Sequence, residues 1–122
     1  AGYGIESGFS AGESLLAGNT GRRPSAIFAA NDNLAMGIIA AAYRRRVTVG
    51  VDLALVGYND IPLSSRLSTP LSSVRVPLDQ IAGNAIDLIV NPGKEPRIRK
   101  SMPTLMPRES SGSPRNSARQ GR

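Results

Sequence analysis

The chain has 122 residues, enough for one small domain or part of a larger one. It contains no Cys and no His, which excludes disulfides, zinc–thiolate centres and thiol nucleophiles, and removes the commonest general base and metal ligand. The net charge of +6 is not evenly spread: up to Gly93 seven acids balance seven bases, and from Lys94 onward eight bases face only Glu95 and Glu109.

The sequence opens on Ala-Gly-Tyr-Gly, without an initiator Met, a basic-then-apolar leader or a run of about 18 apolar residues. It therefore reads as a piece of a longer protein. Glu6–Leu16 has helical spacing through Phe9, Leu15 and Leu16, although Gly8 and Gly12 weaken it. Gly18–Gly21 ends that helix, and Arg22-Arg23-Pro24 is a loop. Ala26–Ala30 is a short apolar strand, and a helix follows over about Asn33–Arg45. Leu53–Tyr58 is a second strand. Its continuous rather than alternating apolar character suits a parallel strand covered on both faces. A short helical segment runs from Asn59-Asp60-Ile61-Pro62 to about Leu67, and Leu71–Arg75 is a third strand. Leu78, Ile81, Ala82, Ala85, Ile86 and Ile89 fall at helical spacing until Asn91-Pro92-Gly93 stops them. Arg97–Met102 and Leu105–Arg108 are weaker extended segments. Ser110–Arg122 has almost nothing to bury and is expected to be disordered. The basic excess lies in this last part, so it reads as a solvated tail before it reads as a DNA-contacting face.

Strand and helix alternate, which predicts an α/β fold with a mostly parallel sheet flanked by helices. Ligands of such sheets sit at the carboxyl ends of the strands. Two strands here end in polar pairs, Asn31-Asp32 and Asn59-Asp60, and both pairs should reach the same sheet edge. Helix capping explains the aspartates: Asp32 and Asp60 each precede a helix. It explains Asn31 and Asn59 less well, because an amide that both donates and accepts also suits a neutral polyhydroxyl ligand. The helix after Asp32 has no polar face through Leu34, Ala35, Met36, Ile38, Ile39 and on to Tyr43. A helix apolar all round needs cover on both sides, from the sheet and from another domain or a twin subunit. Arg44-Arg45-Arg46 at its end complements the helix dipole.

Four stretches in register resemble the LacI/GalR family of transcriptional regulators. They are Pro24–Asp32 with Ala35-Met36-Gly37, Asp52–Pro62, Pro70–Arg75, and Pro107-Arg108-Glu109-Ser110. The resemblance covers about residues 2–110. It implies the C-terminal part of a two-lobed, type I periplasmic-binding-protein-like effector domain, with the effector held between lobes. Residues 1–77 with 103–109 would form the C-terminal lobe. Residues 78–102 would cross to the other lobe, with hinges near Arg75–Pro77 and Pro103–Leu105, and 110–122 would be the tail. The helix at Leu78–Val90 would then show an uncovered apolar face here.

The resemblance also implies roles. Tyr3 matches an aromatic that stacks on the ligand, and Asn31 and Asn59 match polar ligand contacts, with Asp32 and Asp60 left as caps beside the site. Leu34, Ala35, Met36, Ile38, Ile39, Leu63 and Leu67 match parts of a subunit interface, which would supply the second cover. The implied partners are a small sugar-like effector, a second copy of the chain, and DNA through a helix-turn-helix that this chain lacks. No membrane, metal or cofactor is implied. The expected location is the cytoplasm, and no residue is expected to perform catalysis. A periplasmic sugar-binding protein of a transporter is the alternative of the same fold, and the apolar helix argues against it. An enzyme with Asp32 or Asp60 as base is the alternative of a different class. The sequence departs from the family pattern in three places. Asn59 stands where many members have Asp, Val76 where some place a polar contact, and Arg46 and Gly50 replace a turn glycine and a proline.

Overall fold

Four strands form one sheet in the computed structural model, which describes residues 2–18, 20–93 and 97–112. The strand order is β1 (Ala26–Phe28), β2 (Ala54–Asn59), β3 (Ser72–Arg75), β4 (Thr104–Met106). β1, β2 and β3 are parallel neighbours, and β4 runs antiparallel to β3 at the edge. Three helices accompany them: α1 (Ile5–Leu15), α2 (Asp32–Arg44) and α3 (Leu78–Val90). A short 3-10 helix spans Pro62–Arg66. The mostly parallel α/β sheet is the expected one. Of the two weak extended segments, only the second forms a strand, displaced to Thr104–Met106.

Alternation along the strands sends Ile27, Leu55, Gly57 and Ser73 to one face. That face closes on α2 to make the core, with Leu16, Ala35, Ile38, Ala42, Leu53, Leu55 and Leu71 buried together. The opposite face is only partly closed: Val56 and Tyr58 are half-buried and Phe28 is exposed. The continuous apolar run of β2 therefore does not have both faces covered by the described residues.

α2 finds a second cover within this chain, from α1. The two helices touch backbone to backbone at glycines. A Cβ on Gly8 would lie 2.1 Å from the Leu34 carbonyl oxygen, and one on Gly37 would lie 2.1 Å from that of Ile5. A Cβ on Gly12 would lie 2.7 Å from the Ala41 Cβ. Gly8 and Gly12, which weaken α1 as an isolated helix, are what let it pack. Two side-chain links close the seam. Arg44 lies over the Phe9 ring, 5.5 Å from its centre, and Arg45 pairs with Glu13 at 2.9 Å. Ala35 and Ile38 are consequently interior residues at 0% and 4% exposure, not subunit-interface residues. After α2, Arg46 turns the chain in a left-handed conformation with φ +55°, where a glycine is usual.

The segment after β4 is held firmly. Ser110 is buried; its hydroxyl donates to the Leu55 carbonyl and accepts the Ser72 N–H. The Ser72 hydroxyl accepts the Arg108 N–H. Gly50, at φ +88°, packs so closely that a Cβ would meet the Glu109 carbonyl oxygen at 2.4 Å. Ser110–Gly112 thus belong to the fold, which corrects the expected start of disorder at Ser110. Buried serine hydroxyls that cap strand ends replace the apolar content that the expectation looked for. Residues 113–122 of the expected tail lie outside the described residues, as do Lys94 and Glu95.

α3 buries no residue. Its apolar positions Leu78, Ile81, Ile86 and Ile89 are all exposed. It leaves from β3 and the chain returns at β4, where Arg75 pairs with Thr104.

Candidate functional site

β1 and β2 are in register at Phe28 and Val56. Asn31 and Asn59 each follow that pair by three residues. Both asparagines therefore reach the same level of the same sheet edge, at the carboxyl ends of the strands. Tyr3 is brought to the same place: the Asn31 Nδ2 donates to the Tyr3 carbonyl oxygen at 3.0 Å. The Tyr3 side chain is 75% exposed, so its ring is open to a ligand. Asn59 is exposed and makes no side-chain hydrogen bond among the described residues. Val76, just past the end of β3, is half-buried.

The capping assignments change. Asn31, not Asp32, is the N-cap of α2: its backbone is extended (φ −156°, ψ 170°) and its Oδ1 accepts the Leu34 N–H at 2.8 Å. Asp32 is already the first helical residue, and its carboxylate points inward, at 1% exposure. It accepts the Ser73 hydroxyl at 2.6 Å on Oδ1, and the Ser64 hydroxyl and Ile61 N–H, both at 2.8 Å, on Oδ2. Gly57 makes room for it, since a Cβ would lie 2.2 Å from Oδ1.

Asp60 caps nothing either. Ile61 occupies the cap position of the short helix and gives no side-chain cap bond. Asp60 instead takes Arg75 on Oδ2 and Arg108 on Oδ1, both at 2.7 Å, with its own side chain 3% exposed. Burial pushes its carboxyl up, but the Arg108 guanidinium beside Oδ1 and the hydrogen-bonded Arg75 guanidinium on Oδ2 outweigh this and hold it below the ordinary carboxylate range. Arg108 also donates to the Leu71 carbonyl. Sequence reasoning missed Arg75, Arg108, Ser64 and Ser73 as members of this edge. Their carboxylate partners lie 15 to 48 residues away along the chain, and only the Pro-Arg-Glu-Ser and Ser-Ser motifs hinted at them.

Of the expected interface set, Leu63 is exposed at 51%. Leu34, Met36, Ile39 and Leu67 are half-buried, and Leu34, Ile39 and Leu67 pack partly on the core. Among the described residues no group of acids could hold a metal ion, and no helix is long and apolar enough to cross a membrane.

Residues 3–111 match the periplasmic binding protein-like domain family. The lactose operon repressor of Rhizobium radiobacter is 39% identical over 103 residues, which are 83% of this chain and 89% of that sequence. A LacI-family regulatory protein from Chloroflexus aggregans superposes with a TM-score of 0.81 at 38% identity, over 92% of this chain and 41% of that one. The lac repressor dimer bound to operator and the anti-inducer ONPF superposes at 0.77 with 26% identity, over 90% of this chain and 39% of that one. The chain thus spans about two fifths of those solved structures. It belongs to the LacI/GalR family of transcriptional regulators, as the C-terminal part of their periplasmic-binding-protein-like domain.

Proposed function

We propose that this chain is the effector-binding and dimerising portion of a LacI-type repressor, with Tyr3, Asn31 and Asn59 forming one wall of a site for a small neutral sugar. One observation carries the reading: the register of β1 and β2 brings two asparagines to one level of the sheet edge, with Tyr3 tethered beside them. Amides that donate and accept suit sugar hydroxyls, and an exposed ring suits a sugar's C–H face. The second wall comes from the other lobe, to which 78–102 cross. The chain is not an enzyme: its relatives are repressors. An effector that binds the closed lobes better shifts the lobe arrangement, and a cytoplasmic homodimer passes the shift to its DNA-binding headpieces. Met36, Ile39, Leu63 and Leu67 offer the dimer face; Ala35 and Ile38 do not.

The test is calorimetry on the complete regulator with lactose and a panel of neutral mono- and disaccharides. Asn31→Ala and Tyr3→Ala are each expected to weaken the bound sugar more than tenfold. Asn31→Ala also removes a helix cap worth about 1 kcal/mol, so Asn31→Asp, which keeps the capping oxygen and loses the donor, is the control. Unchanged affinity in both alanine variants would remove the site assignment.

A further inference from the structure

Asn59 and Asp60 are consecutive non-glycine residues with φ of +104° and +56°. L side chains rarely adopt this region, and such backbone persists only where its surroundings over-determine it. The surroundings here are explicit. The Ser73 hydroxyl accepts the Asp60 N–H at 3.0 Å and donates to Asp32 at 2.6 Å. Asp32 takes the next N–H, that of Ile61, at 2.8 Å. Arg75 and Arg108 hold the Asp60 side chain from β3 and from the segment after β4. Asn59, by contrast, is exposed, and among the described residues its amide makes no hydrogen bond of its own. Its aim is set by its neighbours.

We propose that Asp32 and Ser73 are positioning residues for the effector contact at Asn59, acting through the Asp60–Ile61 backbone. This rests on the effector reading above. Neither residue touches a ligand itself, since they are 1% and 0% exposed. A carboxylate suits the role because it only accepts, and here it takes three donors at once. An amide at 32 would turn an NH2 toward a serine hydroxyl or the Ile61 N–H. The Ser73 hydroxyl has the matching property of accepting from Asp60 while donating to Asp32. Without it, the Asp60 N–H is left without its acceptor beside a backbone that is already unfavourable.

The complete regulator is the sample, and Ser73→Ala and Asp32→Asn are the variants; if Asp32→Asn fails to fold, Ser73→Ala carries the test. Hydrogen exchange read by mass spectrometry is expected to quicken at least tenfold in the peptide spanning Tyr58–Ile61, with the α2 peptides unchanged. Wild-type exchange in that peptide in Ser73→Ala would overturn the proposal. Calorimetry with lactose and the same sugar panel then separates positioning from general stability. Ser73→Ala is expected to lower affinity at least fivefold, and to lower it no further in an Asn59→Ala background. An equal loss in both backgrounds would overturn the proposal and leave the effector reading standing. If Asn31→Ala and Tyr3→Ala bind as wild type, the effector reading fails instead, and the exchange result still decides whether Asp32 and Ser73 hold the Asn59–Asp60 backbone.

Discussion

Asp60 sits between two guanidinium groups, and its ionisation is tied to folding. Burial opposes the charge, but Arg108 and Arg75 prevail and lower the pKa in the folded chain from its ordinary 3.8. A depressed folded pKa contributes stability that is fully present above the unfolded value and is lost as pH falls through the folded one. The expected outcome is a urea midpoint that is flat from neutral pH to about 5 and falls below about 4. Asp60→Asn should start lower and show a shallower fall. Asp87, held low by hydrogen bonds from Asn91 and Arg99, adds a fall of the same sign, so the difference between the two proteins is the measure. An Asp60→Asn curve parallel to the wild type across that window would remove the coupling. At this scale the sequence announced the asparagines, because strand ends in parallel sheets are where ligand groups collect. It could not divide the work between Asn31 and Asp32. Both residue types cap helices, and the choice turns on which one has extended backbone. The partners that draw Asp32 inward, Ser64 and Ser73, lie 32 and 41 residues away in the chain.

Glycine in a helix means one thing in α1 and α2 and another in α3. In an open helix, Gly→Ala stabilises by up to about 1 kcal/mol. Gly83 of α3 has nothing within 4 Å of where its Cβ would be, so Gly83→Ala should raise the helical content of α3, read by circular dichroism, and leave the urea midpoint of the lobe unlowered. A Cβ on Gly8 or Gly37 would lie 2.1 Å from a backbone oxygen of the other helix. Alanine there must push the helices apart, and Gly8→Ala or Gly37→Ala should cost about 1–3 kcal/mol. Equal effects at the three sites would mean that α1 does not lie on α2 as described. Hydrophobic periodicity revealed both helices and the three parallel strands, but not this contact. A small residue that weakens a helix alone and one that admits a neighbour are the same letter. The antiparallel β4 shows in the sequence only as the weak, displaced segment Leu105–Arg108, for a related reason. It is three residues long, and it forms by pairing with β3 rather than from its own pattern.

For the whole molecule, the central asymmetry is between a lobe that closes around α2 and an α3 whose apolar face stays open among the described residues. The lobe has its own interior from Leu16 to Leu71. α3 keeps 13 residues helical with Leu78, Ile86, Ile89 and Val90 all more than 60% exposed. Isolated helices of about this length are marginal in water, and most helices in proteins persist by packing an apolar face. The link Asp87–Arg99 and a contact from Asn84 to Ser101 tie α3 to the return segment, but exposed pairs of this kind contribute little. Protection from hydrogen exchange should therefore divide the chain. In a monomeric sample, amides of β2 and α2 are expected to exchange only through large-scale opening. Those of α3 should exchange orders of magnitude faster, close to an unfolded segment. In the complete regulator, where we place 78–102 on the other lobe, α3 should gain protection comparable to β2. Strong protection of α3 in the monomeric 122-residue chain would show that it is stable without that lobe, and the assignment of 78–102 as a crossing segment would lose its physical basis.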